Sequence, residues 1–141
     1  MRALKVLQKV GRYLRIYDDP YSPNEKRRAE VIEQLARRPS LKHEEWHARF
    51  AAPRGIPLRF VAWFRDTCSK YFEYDLSAAL PDDRLTEDLG LFIATWGDTD
   101  WDIFEEFEGE FHCKRPDGGD MKTFGTFLEG LWSQADQRGT V

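Results

Sequence analysis

Apolar positions along the chain recur at helical spacing, and no run alternates long enough to read as a strand. Over residues 3–17, Leu7, Val10, Leu14 and Tyr17 share one face while Lys5, Lys9 and Arg12 fall on the other, which predicts an amphipathic helix. Asp18-Asp19-Pro20 ends it. Ser22-Pro23-Asn24-Glu25 predicts the next start: Ser22 caps, Pro23 suits the first helical position and Glu25 completes a capping box. That helix is expected to run to Arg38, with Ile32, Leu35 and Ala36 inward, and to stop at Pro39. A short helix follows from Ser40 to Phe50, then a Pro/Gly connector over 51–57. Pro57 opens a helix to residue 73 whose wide apolar face is Leu58, Val61, Phe64, Cys68, Tyr71 and Phe72, the pattern of a central packed helix. Residues 74–98 form a long connection, and Leu76, Leu80, Leu85, Leu89, Leu91 and Phe92 predict that it packs down onto the core. Thr99 is expected to cap a helix over 100–111 carrying Ile103, Phe104, Phe107 and Phe111 on one side. A last helix over 121–132 presents Phe124, Phe127, Leu128, Leu131 and Trp132, leaving 133–141 as a polar tail. The class predicted is all-α.

Composition changes this picture mainly through charge. The chain's 141 residues carry a formal charge of −4, but residues 1–59 hold 14 basic and 7 acidic side chains, whereas residues 60–141 hold 7 basic and 18 acidic ones. The halves are therefore +7 and −11, and the sign changes near the Pro/Gly connector. This predicts a basic helical extension, 1–56, before an acidic helical domain, 57–132. Aromatic residues make up 14% of the chain, which supplies a substantial core and argues against global disorder. No apolar run is long enough for a membrane span, and Lys5, Lys9, Arg12 and Arg15 interrupt any signal-like stretch at the start. With only Cys68 and Cys113, the expected compartment is the reducing cytoplasm.

The order of motifs in residues 57–132 adds a resemblance. A packed helix is followed by a loop containing Leu85-Thr86-Glu87-Asp88-Leu89-Gly90, then an acidic helix ending Glu108-Gly109-Glu110-Phe111, then Thr123-Phe124-Gly125-Thr126. This resembles acyl carrier proteins, small four-helix domains with an L-x-E-D-L-G loop and an acidic second helix. The resemblance extends to an uncharacterised bacterial family of acyl-carrier-like shape, on Tyr74-Asp75-Leu76-Ser77, Pro81-Asp82-Asp83-Arg84-Leu85 and Gly97-Asp98. What it implies is an acyl-carrier-like helical bundle with an N-terminal helical extension. It also implies where a phosphopantetheine-bearing serine belongs, and Gly97 stands at that position. Glycine has no hydroxyl to modify, so no cofactor and no carrier activity are expected. A divergent carrier would have to use Thr95 or Thr99.

Three further chemistries are legible. His43-Glu44-Glu45-Trp46-His47 is a literal H-E-x-x-H, in which His43 and His47 could hold a zinc ion while Glu44 polarises a water. A zinc hydrolase needs a third ligand, which Glu73 or Glu87 would have to supply. The same residues with Phe50 also make a packing stripe at i, i+3, i+4 and i+7, so the motif is read as accidental and the chain as no enzyme. The basic residues Lys26, Arg27, Arg28, Arg37 and Arg38 would suit nucleic acid, but the whole chain is acidic, with no aromatic RNA platform. Acidic residues crowd one helix: Asp102, Glu105, Glu106, Glu108 and Glu110 lie within nine positions. A negative face of this kind steers basic partners electrostatically. The function expected is protein–protein interaction with a basic protein, with Asp98, Asp102, Glu105, Glu106 and Glu110 as contact residues. An immunity or antitoxin-like protein neutralising a toxin is the alternative in the same surface terms. The basic extension is alternatively the acidic domain's own counterface.

Overall fold

The computed structural model describes residues 22–117 and 121–137. The helix expected over 3–17 and the end of the tail lie outside them. Every regular element among the described residues is helical, with one isolated antiparallel bridge between Arg84 and Thr123. The order is α1 (Glu25–Ala36), α2 (His43–Trp46), α3 (Leu58–Phe72), α4 (Thr99–Phe111) and α5 (Phe124–Gln137). Between α2 and α3 the chain continues through a π-helical turn, His47–Ala51, and a 3₁₀ turn, Ala52–Arg54.

Several boundaries differ from expectation for local reasons. Asn24, not Ser22, caps α1, because its side-chain oxygen accepts from the Arg27 N–H at 2.9 Å. The face of α1 turned inward is Val31 and Leu35, whereas Ile32 is 39% exposed. The short helix starts three residues later than Ser40, since 39–42 takes no regular structure and Leu41 N–H donates to the Ser77 carbonyl. Gly55, at φ 73°, then reverses the chain before Ile56 is buried. In α4, Thr99 is the first helical residue and Asp98 occupies the cap position. Helix α5 runs on to Gln137, through the predicted polar tail, because Ala135 is fully buried at the end of its inner face.

Helix α3 forms the centre of the molecule. Phe60, Val61, Phe64, Cys68 and Phe72 are buried along it, and full burial of a Phe is worth about 1.5–3 kcal/mol over exposure. Aromatic rings tie the other helices to it: Trp63 meets Phe111 edge-on at 4.8 Å, and Phe64 lies 4.9 Å from Phe124. Trp46 of α2 packs edge-on to Phe124 and donates its indole N–H to the Ala79 carbonyl at 2.8 Å. Val31, Leu35, Trp46, Ala51 and Ile56 share one hydrophobic cluster with the residues of 57–137. The long connection contributes Leu76, Leu85, Leu89 and Leu91 to this core, as its pattern predicts. Leu80 and Phe92 are exceptions, at 38% and 46% exposed.

Candidate interaction surface

The acidic helix α4 divides its carboxylates between two jobs. Ile103 and Phe107 are buried against α3, which orients the rest of the helix. Glu106 then faces α3, where it accepts hydrogen bonds from Lys70 Nζ at 2.8 Å, the Tyr71 hydroxyl at 2.9 Å and the Thr67 hydroxyl at 3.1 Å. Burial pushes the Glu106 carboxyl up, but these three donors outweigh it and hold the group below the usual carboxylate range. Glu108 is gripped by Arg115, whose guanidinium donates to both carboxylate oxygens at 2.7 and 3.2 Å and stacks over Trp101 at 4.3 Å. Glu105 and Glu110 remain exposed, and Glu105 accepts from the Trp101 indole at 2.9 Å. Asp98 and Asp102 are half-buried at the helix start, where the helix dipole favours acids. Asp98, Asp102 and Glu105 recur at i, i+4 and i+7 and so form one stripe. Among the five residues expected to meet a partner, Glu106 is thus committed to holding α4 on α3.

The turn that precedes α4 carries a feature the sequence pattern misses. Phe92 sits at φ 70°, in the left-handed region, and is 46% exposed, and Ile93 beside it is 43% exposed. Such a conformation is uncommon for a bulky residue and is strained. The turn is nevertheless tightly held. Leu91 N–H donates to the Leu85 carbonyl at 2.8 Å, Ala94 N–H to the Gly90 carbonyl at 2.7 Å and Phe92 N–H to the Thr95 hydroxyl at 2.9 Å. Gly90, at φ 83°, has no room for a side chain: a Cβ would lie 2.6 Å from the Ala94 Cβ and 2.9 Å from the Tyr74 hydroxyl. From outside, Asn24 N–H donates to the Ile93 carbonyl at 2.8 Å. The result is a rigid turn that presents two apolar side chains to solvent.

The residues weighed for other chemistries are dispersed through the fold. Gly97 is half-buried in the turn before α4. The two neighbouring hydroxyls, Thr95 and Thr99, are each 1% exposed. His43 receives a hydrogen bond from the Arg65 guanidinium on Nδ1 at 2.7 Å, which leaves Nε2–H to donate to Asp66 at 2.9 Å. His47 Nε2 bonds the Ile56 carbonyl at 2.8 Å. Glu44 is exposed on α2. Among the described residues no three His, Cys, Asp or Glu side chains are gathered so as to hold a metal ion. Sequence reasoning also missed Arg65, which is 2% exposed in α3 and donates to the Leu41 and Ser77 carbonyls at 2.8 and 2.7 Å. It clamps the extended segment before α2 to the loop after α3.

Two basic side chains of α1, Arg27 and Arg28, and Arg38 just beyond it reach the second half of the chain. Arg28 reaches the Phe72 and Glu73 carbonyls at 3.4 and 2.7 Å, closing the negative end of α3. Arg27 donates to the Glu87 carbonyl. Arg38 pairs with the nearly buried Asp83 at 2.6 Å, and that carboxylate also accepts the Leu80 N–H at 2.7 Å. Arg37 pairs only locally, with Glu33. Of Arg27, Arg28 and Arg38, only Arg38 meets a carboxylate of the second half; Arg27 and Arg28 meet backbone carbonyls there. No helix among the described residues is long and apolar enough to cross a membrane. The chain matches no protein-family model, no curated protein and no solved structure.

Proposed function

We propose that this chain is a non-catalytic interaction protein on an acyl-carrier-like helical bundle. In this reading it docks a basic protein partner through the outer face of α4 and the turn before it. The observation that carries the reading is the exposed Phe92–Ile93 turn. It is strained, yet pinned by backbone hydrogen bonds on both sides. Strain of this kind, spent on displaying apolar groups to water, fits a surface completed by a partner. The stripe of Asp98, Asp102 and Glu105, with Glu110 beyond it, supplies a negative flank. Such a flank speeds encounter with a basic surface and makes it sensitive to salt.

The absence of carrier activity belongs to the same reading. A hydroxyl must be reachable to accept a phosphopantetheine arm, and the burial of Thr95 and Thr99 withholds both candidates. The zinc reading draws no support from His43 and His47, whose ring nitrogens are engaged by Arg65, Asp66 and the Ile56 carbonyl.

The test is a quantitative pull-down from host extract, comparing the wild-type chain with an E105K/E110K variant. The expected outcome is a basic protein retained by wild type at low salt, lost from the variant and lost at high salt. A single cognate partner would mark the immunity-type form of this function. An identical retained set for both baits would overturn the acidic-face reading.

A further inference from the structure

A recess of about 260 Å³ lies between the C-terminal half of α1 and the loop that follows α3. Part of its lining is apolar, from Ile32, Leu35 and Ala78, and Ile32 is the side chain of α1 that the core leaves 39% exposed. Arg38, Ser40, Asp75 and Ser77 add polar groups to the lining, all at least partly exposed. The two hydroxyls are ordered in one direction. Ser77 gives its single hydroxyl hydrogen to Asp75 at 2.9 Å, so Ser40 is the donor in the 2.5 Å contact between the serines. The Ser40 oxygen keeps its lone pairs for another donor. Asp75 accepts the Ser77 N–H and O–H, one on each oxygen, at 2.9 Å each. That uses about half of the acceptor positions of a carboxylate. Arg38 commits Nη1 to Asp83 at 2.6 Å, one corner of a guanidinium that carries about five N–H groups. Behind the lining, buried Arg65 donates to the Leu41 and Ser77 carbonyls and so fixes the two serine-bearing segments against each other.

We propose that this recess binds a small zwitterion, an aliphatic α-amino acid. The volume falls just below the roughly 300–1,000 Å³ of sites for drug-sized ligands, which suits a ligand with one short side chain. Charge selects among small ligands. An amine alone finds Asp75 but meets Arg38, and a carboxylate alone finds Arg38 but meets Asp75. A ligand with both charges complements both groups. Its ammonium donates to the Asp75 and Ser40 oxygens, its carboxylate accepts from Arg38, and its aliphatic side chain covers Ile32 and Leu35. The site shares no residue with the outer face of α4 or the Phe92–Ile93 turn, so this binding is a second function that stands or falls apart from partner docking.

The test is a titration of the isotope-labelled full-length chain with L-leucine, followed through its amide resonances. Saturable shifts are expected at residues 32–40 and 74–78. The probes 3-methylbutylamine and 4-methylpentanoate keep the side chain with one charge each, and each is expected to bind about tenfold more weakly or less, through loss of a charge-assisted contact. Asp75→Asn is expected to weaken leucine binding about tenfold for the same reason. Ala36→Trp, at an exposed residue of the lining, is expected to fill the recess and abolish the shifts. This variant leaves the Ser77 contacts of Asp75 intact, so it decides the matter if Asp75→Asn disturbs the loop. Absence of saturation, or shifts undiminished in Ala36→Trp, would overturn the site. Equal affinity for leucine and either single-charge probe would overturn the assignment of a zwitterion.

Discussion

At the scale of single residues, the same side-chain chemistry serves opposite ends according to where it points. Glu105 and Glu106 are neighbours in sequence, yet one faces solvent and the other meets three donors on α3. Glu106 is titrated lower in the folded chain than its ordinary value of 4.5, so its contribution to stability is fully present above that range. The contribution is lost as pH falls through the depressed folded value. Substitution of Glu106→Gln is expected to cost about 1–2 kcal/mol at neutral pH, discounted for the exposure of Lys70. The cost is expected to shrink as the wild-type carboxyl protonates. Urea denaturation of both proteins at neutral pH and near pH 3 checks this, and an equal difference at both pH values would contradict it. The paired histidines illustrate the same lesson, since His43 and His47 lie one turn apart but bond to different neighbours.

At the scale of elements, the long connection between α3 and α4 is fixed as firmly as a helix without being one. Its leucines enter the core, its turns close on Gly90, and the Arg84–Thr123 bridge ties it to the start of α5. Gly90 combines a positive φ with a site where a Cβ would meet three close neighbours, including Val31 Cγ2 of α1 at 3.3 Å. Gly90→Ala is therefore expected to destabilise the protein by about 2 kcal/mol or more, from backbone strain and overpacking together. It is also expected to loosen the Phe92–Ile93 turn. Chemical denaturation measures the first effect, and hydrogen exchange at the amides of residues 91–94 measures the second. Unchanged exchange there would show that the turn is held without Gly90.

At the scale of the whole molecule, charge and packing join the two sides of residue 56. Arg27, Arg28 and Arg38 reach across to Glu87, to the end of α3 and to Asp83, while Trp46 and Val31 enter the common cluster. Unfolding is accordingly expected to be a single cooperative transition. Tryptophan fluorescence, with Trp46 before residue 56 and Trp63, Trp96, Trp101 and Trp132 after it, should report the same midpoint as far-ultraviolet circular dichroism. Separated midpoints would mean that residues 22–56 melt as their own unit.

Helical periodicity alone determined that the described chain is all-α, that a packed helix runs through 58–72 and that a leucine-rich connection follows it. Each depends on local spacing of apolar residues, which a linear pattern records. The charge split likewise showed that the two halves differ in sign. What periodicity could not decide is which member of a cluster turns inward. Val31 rather than Ile32 is buried on α1, and Ala135 draws α5 through a stretch that reads as polar, because distant neighbours set those choices. The burial of Arg65 and the display of Phe92 also draw on backbone partners distant in sequence, at Leu41, Ser77 and Asn24. A helical wheel shows where a side chain is placed around its own axis. Only the packed structure shows what waits for it there.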